Sequence, residues 1–166
     1  MSYRLLLGLL CLLLSACSTL SPITIEHADW EVSGKIGVRA SNGKNSNNLF
    51  NWRQKDDLYV IYLSNSLGQT QLTLTGDKHH AIAQQADGKT FTANTAEDLL
   101  KNLTGWQMPL HTAQQWLQGQ LTGEEVDLVY NEHGVSAFTY QDWLVQLSQY
   151  RLENAQNLAH KLQLKN

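Results

Sequence analysis

The side chains that usually carry chemistry are present in this sequence, but not in the spacings that chemistry requires. Six histidines occur, none in a His-Glu-x-x-His arrangement that would set two imidazoles on one helix face around zinc. His79 and His80 are adjacent, which on a strand sends them to opposite faces. No Gly-x-Ser-x-Gly elbow presents a nucleophilic serine, and no glycine-rich loop precedes a helix to cradle phosphate. Asp57 and Asp127 are isolated and read as solvated surface charge. The sequence gives no support for an enzyme, a metal site or a cofactor. Of the two cysteines, Cys17 is the one reactive group whose neighbours form a pattern.

That pattern is an address followed by an anchor. Arg4 and the amino terminus supply positive charge, Leu5 to Leu14 form an apolar run, and small residues follow. The run is shorter than the ~20 residues that span a bilayer and has the three-part build of a secretory signal. Its end, Leu14-Ser15-Ala16-Cys17, resembles the lipobox of bacterial lipoproteins, which implies removal of residues 1–16 and acylation of Cys17. Cys11 then leaves with the signal, so no disulfide and no zinc set remains. A covalent lipid on Cys17 would hold the chain on a membrane, each buried methylene contributing roughly 0.8 kcal/mol. In sorted lipoproteins an Asp after the acylated Cys marks inner-membrane retention; Ser18 stands here, which implies the outer membrane, facing the periplasm.

The 166 residues, with Lys and Arg totalling 12 against 15 Asp and Glu, fit a single domain. They carry no basic cluster for a phosphate backbone, so a nucleic-acid partner is not expected. Residues 17–28 read as an acylated tether and 29–166 as one domain. Within it, Trp30, Val32, Gly34, Ile36 and Val38 alternate with polar residues or glycine at strand period. Ser41 to Asn48 reads as a polar turn, and Phe50 and Trp52 as the returning strand. Leu58 to Leu63 is apolar on both faces. Further strands are expected over 69–75, 80–85, 90–93, 126–130, 135–140 and 143–149. Residues 151–160 are ambiguous, and 161–165 suit one more strand.

Between these strands the period changes. Ala96, Leu99, Leu100 and Leu103 fall at helical spacing after Asn94 and Thr95 as cap candidates, with Gly105 as the stop. A second short helix is expected over 112–118. The sum is a long antiparallel meander curling on itself, with a helical pair covering one face or mouth. One leucine is out of place: Leu67, among Asn65, Ser66 and Gly68, sits at a hairpin tip. Either it folds back beneath the loop, or it stands exposed, where burial in a membrane or partner would contribute roughly 1.5–3 kcal/mol. Trp30, Trp52, Trp116, Trp143, Tyr59 and Tyr62 are either ordinary core or the lining of a cavity.

Several of these stretches together resemble the LolB family of outer-membrane lipoprotein receptors. The lipobox at Cys17, Phe50-x-Trp52, Tyr62 to Leu74 (YLSNSLGQTQLTL), Ala93 to Gly105 (ANTAEDLLKNLTG), Met108-Pro109-Leu110 and Gln115-Trp116-Leu117-x-Gly119 carry the likeness. The resemblance implies a half-open antiparallel β-barrel under a helical lid, with an apolar cavity for the acyl chains of a lipoprotein in transit. It implies the periplasmic carrier LolA as donor, the outer membrane as acceptor, and Leu67 as the protruding residue of membrane insertion. The sequence departs from the family at Ser66, where Pro is usual, and at its end, where a further strand is usual: either this is a naturally short member, or a truncated one whose barrel has an unpaired edge.

On this reading Ile36, Val38, Phe50, Trp52, Val60, Leu72 and Trp116 form the cavity wall and Leu99, Leu100 and Leu103 the lid. Acyl chains bind without covalent chemistry, so no cofactor beyond the lipid on Cys17 is implied, and one copy of the chain suffices. The competing reading is an envelope lipoprotein with a scaffold role or a small apolar ligand.

Overall fold

The computed structural model describes residues 25–39, 43, 45–153 and 156–165. The expected signal, Cys17 and residues 18–24 of the expected tether lie outside the described residues, as does part of the turn expected from Ser41.

Trp30–Arg39 (β1) buries Val32, Ile36 and Val38 and exposes Glu31, Ser33 and Lys35, as period-two alternation requires. It pairs with Asn45–Lys55 (β2), which begins several residues earlier than the polar composition suggests. Ladder bonds such as Gly37↔Asn47 and Arg39↔Asn45 hold the asparagine-rich stretch in strand form despite its poor intrinsic preference. Leu58–Ser64 (β3), Thr70–Gly76 (β4), Ala81–Gln85 (β5) and Thr90–Ala93 (β6) continue the antiparallel meander.

Two helices interrupt it. Ala96–Thr104 (α1) is capped by Thr95, whose hydroxyl accepts from the Asp98 amide at 3.1 Å, and stops at Gly105 in left-handed geometry (φ 80°). Such a cap is worth about 1 kcal/mol. Leu110–Leu117 (α2) starts after Pro109 with no side-chain cap. Val126–Asn131 (β7), Gly134–Tyr140 (β8), Trp143–Glu153 (β9) and Gln156–Lys165 (β10) complete the chain.

All strands among the described residues join one ten-stranded sheet in the order β6-β5-β4-β3-β2-β1-β10-β9-β8-β7. The sheet is open between β6 and β7. β10 is an interior strand rather than an unpaired edge: it pairs antiparallel with β9 and parallel with β1. Where this parallel pairing begins the two backbones approach too closely for a side chain, and Gly34 permits it. A Cβ there would stand 2.1 Å from the His160 carbonyl oxygen and 3.0 Å from the Phe50 ring. The adjacent Ser33 carbonyl accepts from His160 Nδ1 at 2.5 Å.

The concave face curls around the helices. α1 rests on β4, β5 and β6, and α2 on β10, so Ala83 near one edge and Phe138 near the other share one core with Leu100 and Trp116. The architecture is a half-open barrel with a helical lid.

Candidate functional site

Register fixes which side chains look inward. Phe50 lies opposite Leu63, and Trp52 between Val32 and Ile61, which in turn faces Leu74. These rows meet the lid across a narrow, closely packed seam that encloses about 20 Å³. Its sheet wall includes Ile36, Phe50, Trp52, Ile61, Leu74 and Leu162. Its lid wall includes Leu100, Trp106, Met108, Leu110, Ala113 and Leu117. Every lining residue is apolar in character, so the seam attracts hydrocarbon and offers water almost nothing to bond.

Ile36, Phe50, Trp52 and Leu100 therefore line the seam, while the other expected residues are placed differently. Val60 lies opposite Arg53 and Thr75, on the face away from Ile61; it is buried, but not in the cavity wall. With LYVIYL apolar on both faces, burial alone does not choose between neighbouring residues, and one step along a strand reverses direction. Val38 is buried among the core residues yet borders a separate surface groove with Arg39, Asn45 and Gln163. Leu72 belongs to an opening of the seam rather than its wall. Leu99 is fully buried in the lid and Leu103 half-buried against the core.

Trp116 packs instead edge-on against Phe138 (5.0 Å) and Tyr140 (5.1 Å). Its indole N–H donates to Glu125 Oε1 at 2.6 Å. Glu125 also accepts from the Thr122 amide and hydroxyl and the Gly123 amide. Burial pushes its carboxyl up, but the bonds from Trp116, Thr122 and the backbone outweigh that, and its pKa falls below the ordinary value. This buried carboxylate fastens the end of α2 to the loop that follows.

Periodicity over 112–118 picks out Trp116 and Leu117 but not Trp106, Met108 and Leu110. Their signal is the alternation Trp106-x-Met108-x-Leu110, which reads as extended chain, joined to Leu110, Ala113 and Leu117 at helical spacing.

The seam opens two ways. Leu63 and Trp106 are shared with an opening of about 280 Å³ that Leu72, Gln71 and Thr104 also border. Leu63 and Leu72 face each other where β3 and β4 give way to the loop carrying Leu67. Leu67 is 81% exposed, so the fold-back alternative is not realised. Asn65 holds the loop: its side-chain oxygen accepts from the Leu67 and Gln69 amides, each at 3.0 Å, and its side-chain amide donates to Gln69 Oε1 at 2.9 Å. The Gly68 amide donates to the Asn65 carbonyl at 3.0 Å, with φ +81° at Gly68. These bonds fix the loop without proline.

At the other end Trp52, Ile61 and Leu110 are shared with a polar cleft of about 460 Å³. Asp57, Asp77, Lys78, Glu97 and His111 stand around it. Lys78 pairs with Asp57 at 2.7 Å, and Glu97 Oε1 accepts from the His111 amide at 3.2 Å, tying α2 to α1. Tyr59 borders the same cleft, its hydroxyl buried without a hydrogen-bond partner among the described residues. An unsatisfied buried group costs about 1–3 kcal/mol. Desolvation, with Glu97 and Asp77 nearby, pushes its pKa up to about 12, so at neutral pH it remains a donor. No group of three or more His, Cys, Asp or Glu able to hold a metal occurs among the described residues.

The fold and the seam define a class: a half-open barrel whose helical lid covers an apolar interior. Residues 28–166 match the family model described as "Outer membrane lipoprotein LolB". An outer-membrane lipoprotein LolB of Shewanella putrefaciens is 31% identical over 163 residues, covering 93% of this chain and 75% of its own length. Its counterpart in Shewanella frigidimarina is 35% identical over 132 residues, 74% of this chain and 64% of its own. The chain belongs to the LolB family of outer-membrane lipoproteins.

Proposed function

We propose that the chain, anchored through an acylated Cys17, receives lipoproteins from the periplasmic carrier LolA and passes their acyl chains to the outer membrane. The observation that supports this best is the continuity of an all-apolar seam with an opening beneath the exposed Leu67. An acyl chain gains free energy by leaving water for the seam and again by leaving the seam for the bilayer. Transfer then needs a descending series of affinities and no covalent step or nucleotide. Ile36, Phe50, Trp52 and Leu100 hold the chain in this reading, and Leu67 enters the bilayer surface ahead of it.

The test is direct transfer. Purified protein without its signal is mixed with LolA loaded with an acylated lipoprotein, and the two are separated. Movement of the lipoprotein onto this chain is the expected result; retention on LolA by a folded preparation would refute the proposal.

A further inference from the structure

The polar cleft has no role in holding hydrocarbon, and its lining is chemically specific. His111, Gln114 and Gln115 on α2, with Gln118 at its C-cap, border the cleft, while Leu110, Ala113 and Leu117 line the seam. Gln54 from β2 and Gln120 beyond the helix add to the same cleft. Gln114, Gln115, Gln118 and Gln120 border the cleft together with Tyr59, whose hydroxyl is a buried donor without a hydrogen-bond partner among the described residues.

Carboxamides offer both donor and acceptor, which is what a polypeptide backbone needs and what a purely anionic group does not use well. Asp57, Asp77 and Glu97 on the same walls, with Lys78 engaged by Asp57, disfavour a phosphodiester by like-charge repulsion. The cleft and the seam share Trp52, Ile61 and Leu110, so one ligand can occupy both.

We infer that the glutamine-lined cleft binds the peptide backbone that follows the acylated cysteine of a lipoprotein while its acyl chain lies in the adjoining seam. The inference rests on the acyl-chain reading above and adds to it a means of preferring lipoproteins over phospholipids. Recognition through backbone amides tolerates any cargo sequence.

The test compares three probes on purified protein: an N-acyl-S-diacylglyceryl cysteine bearing a five-residue Ser/Gly peptide, the same compound with no peptide, and phosphatidylglycerol with equal acyl chains. The peptide-bearing probe is expected to bind about tenfold more tightly than the peptide-free one, the yield of one or two added hydrogen bonds. The double variant Gln114→Ala/Gln118→Ala, which keeps good helix formers on α2, should abolish that difference and leave peptide-free binding unchanged. Equal binding of the first two probes by the natural sequence, or tighter binding of phosphatidylglycerol, would overturn the inference while leaving the acyl-chain reading intact. No binding of any probe by folded protein would overturn both.

Discussion

The Trp116 indole and the Glu125 carboxylate meet at 2.6 Å inside the protein, where α2 ends against the loop leading to β7. A buried acid that accepts several hydrogen bonds stabilises the fold only while ionised. Its folded pKa lies below the ordinary 4.5. Its contribution is therefore complete above about pH 4.5 and declines as pH falls from there through the folded value. Glu125→Gln presents an amide to donors that need an acceptor and should cost about 1–3 kcal/mol at pH 7. Urea melts at pH 7 and pH 4 should show the variant losing less stability than the natural sequence between the two.

Val60 and Ile61 provide a test of facing. Both are buried, so Ile61→Ala should cost about 2–5 kcal/mol and Val60→Ala about 1.5–3. Only Ile61 touches the seam. A fluorescent fatty acid should bind more weakly to the Ile61 variant and unchanged to the Val60 variant, measured where both remain folded.

Gly34 is the close point between β1 and β10. An added methyl would collide with the backbone of His160, and a backbone atom yields less readily than a side-chain tip. Gly34→Ala should destabilise by about 1–3 kcal/mol. Hydrogen exchange should accelerate first in residues 158–164.

These tests follow the boundary between what the sequence discloses and what it hides. The alternation over Trp30–Val38 sorts inward from outward residues because one face is polar, and the α1 cap and stop are local chemistry readable at Thr95 and Gly105. The double-sided burial of Leu58 to Leu63 removes the contrast that would place Val60. The first half of β10 is obscure because Asn157 acquires strand form by pairing with β9 and His160 bonds to Ser33 of β1, more than a hundred residues earlier. The seam's lid and the glutamine face of α2 become visible only when β2, β3 and the helices converge. Leu67 is conspicuous by its loop composition, but its exposure depends on Asn65 bonding across the turn.

Asn65 therefore has a separable role. Asn65→Ala removes three side-chain bonds from the loop without touching the core. Thermal stability should change by under about 1 kcal/mol, as for most exposed substitutions, while delivery of lipoprotein into vesicles slows several-fold because Leu67 loses its fixed presentation. Unchanged delivery would show that the leucine alone matters, not its setting.

The most direct measurement divides acceptance from insertion in Leu67→Glu. Leu67 is exposed and outside the seam, so the charged variant should take lipoprotein from LolA at the natural rate. A carboxylate at the loop tip is costly to move into a bilayer, so release into outer-membrane vesicles should fall at least tenfold. Retained acceptance with lost insertion is the expected result; equal loss of both steps, or no loss of either, would contradict the proposed transfer from seam to membrane.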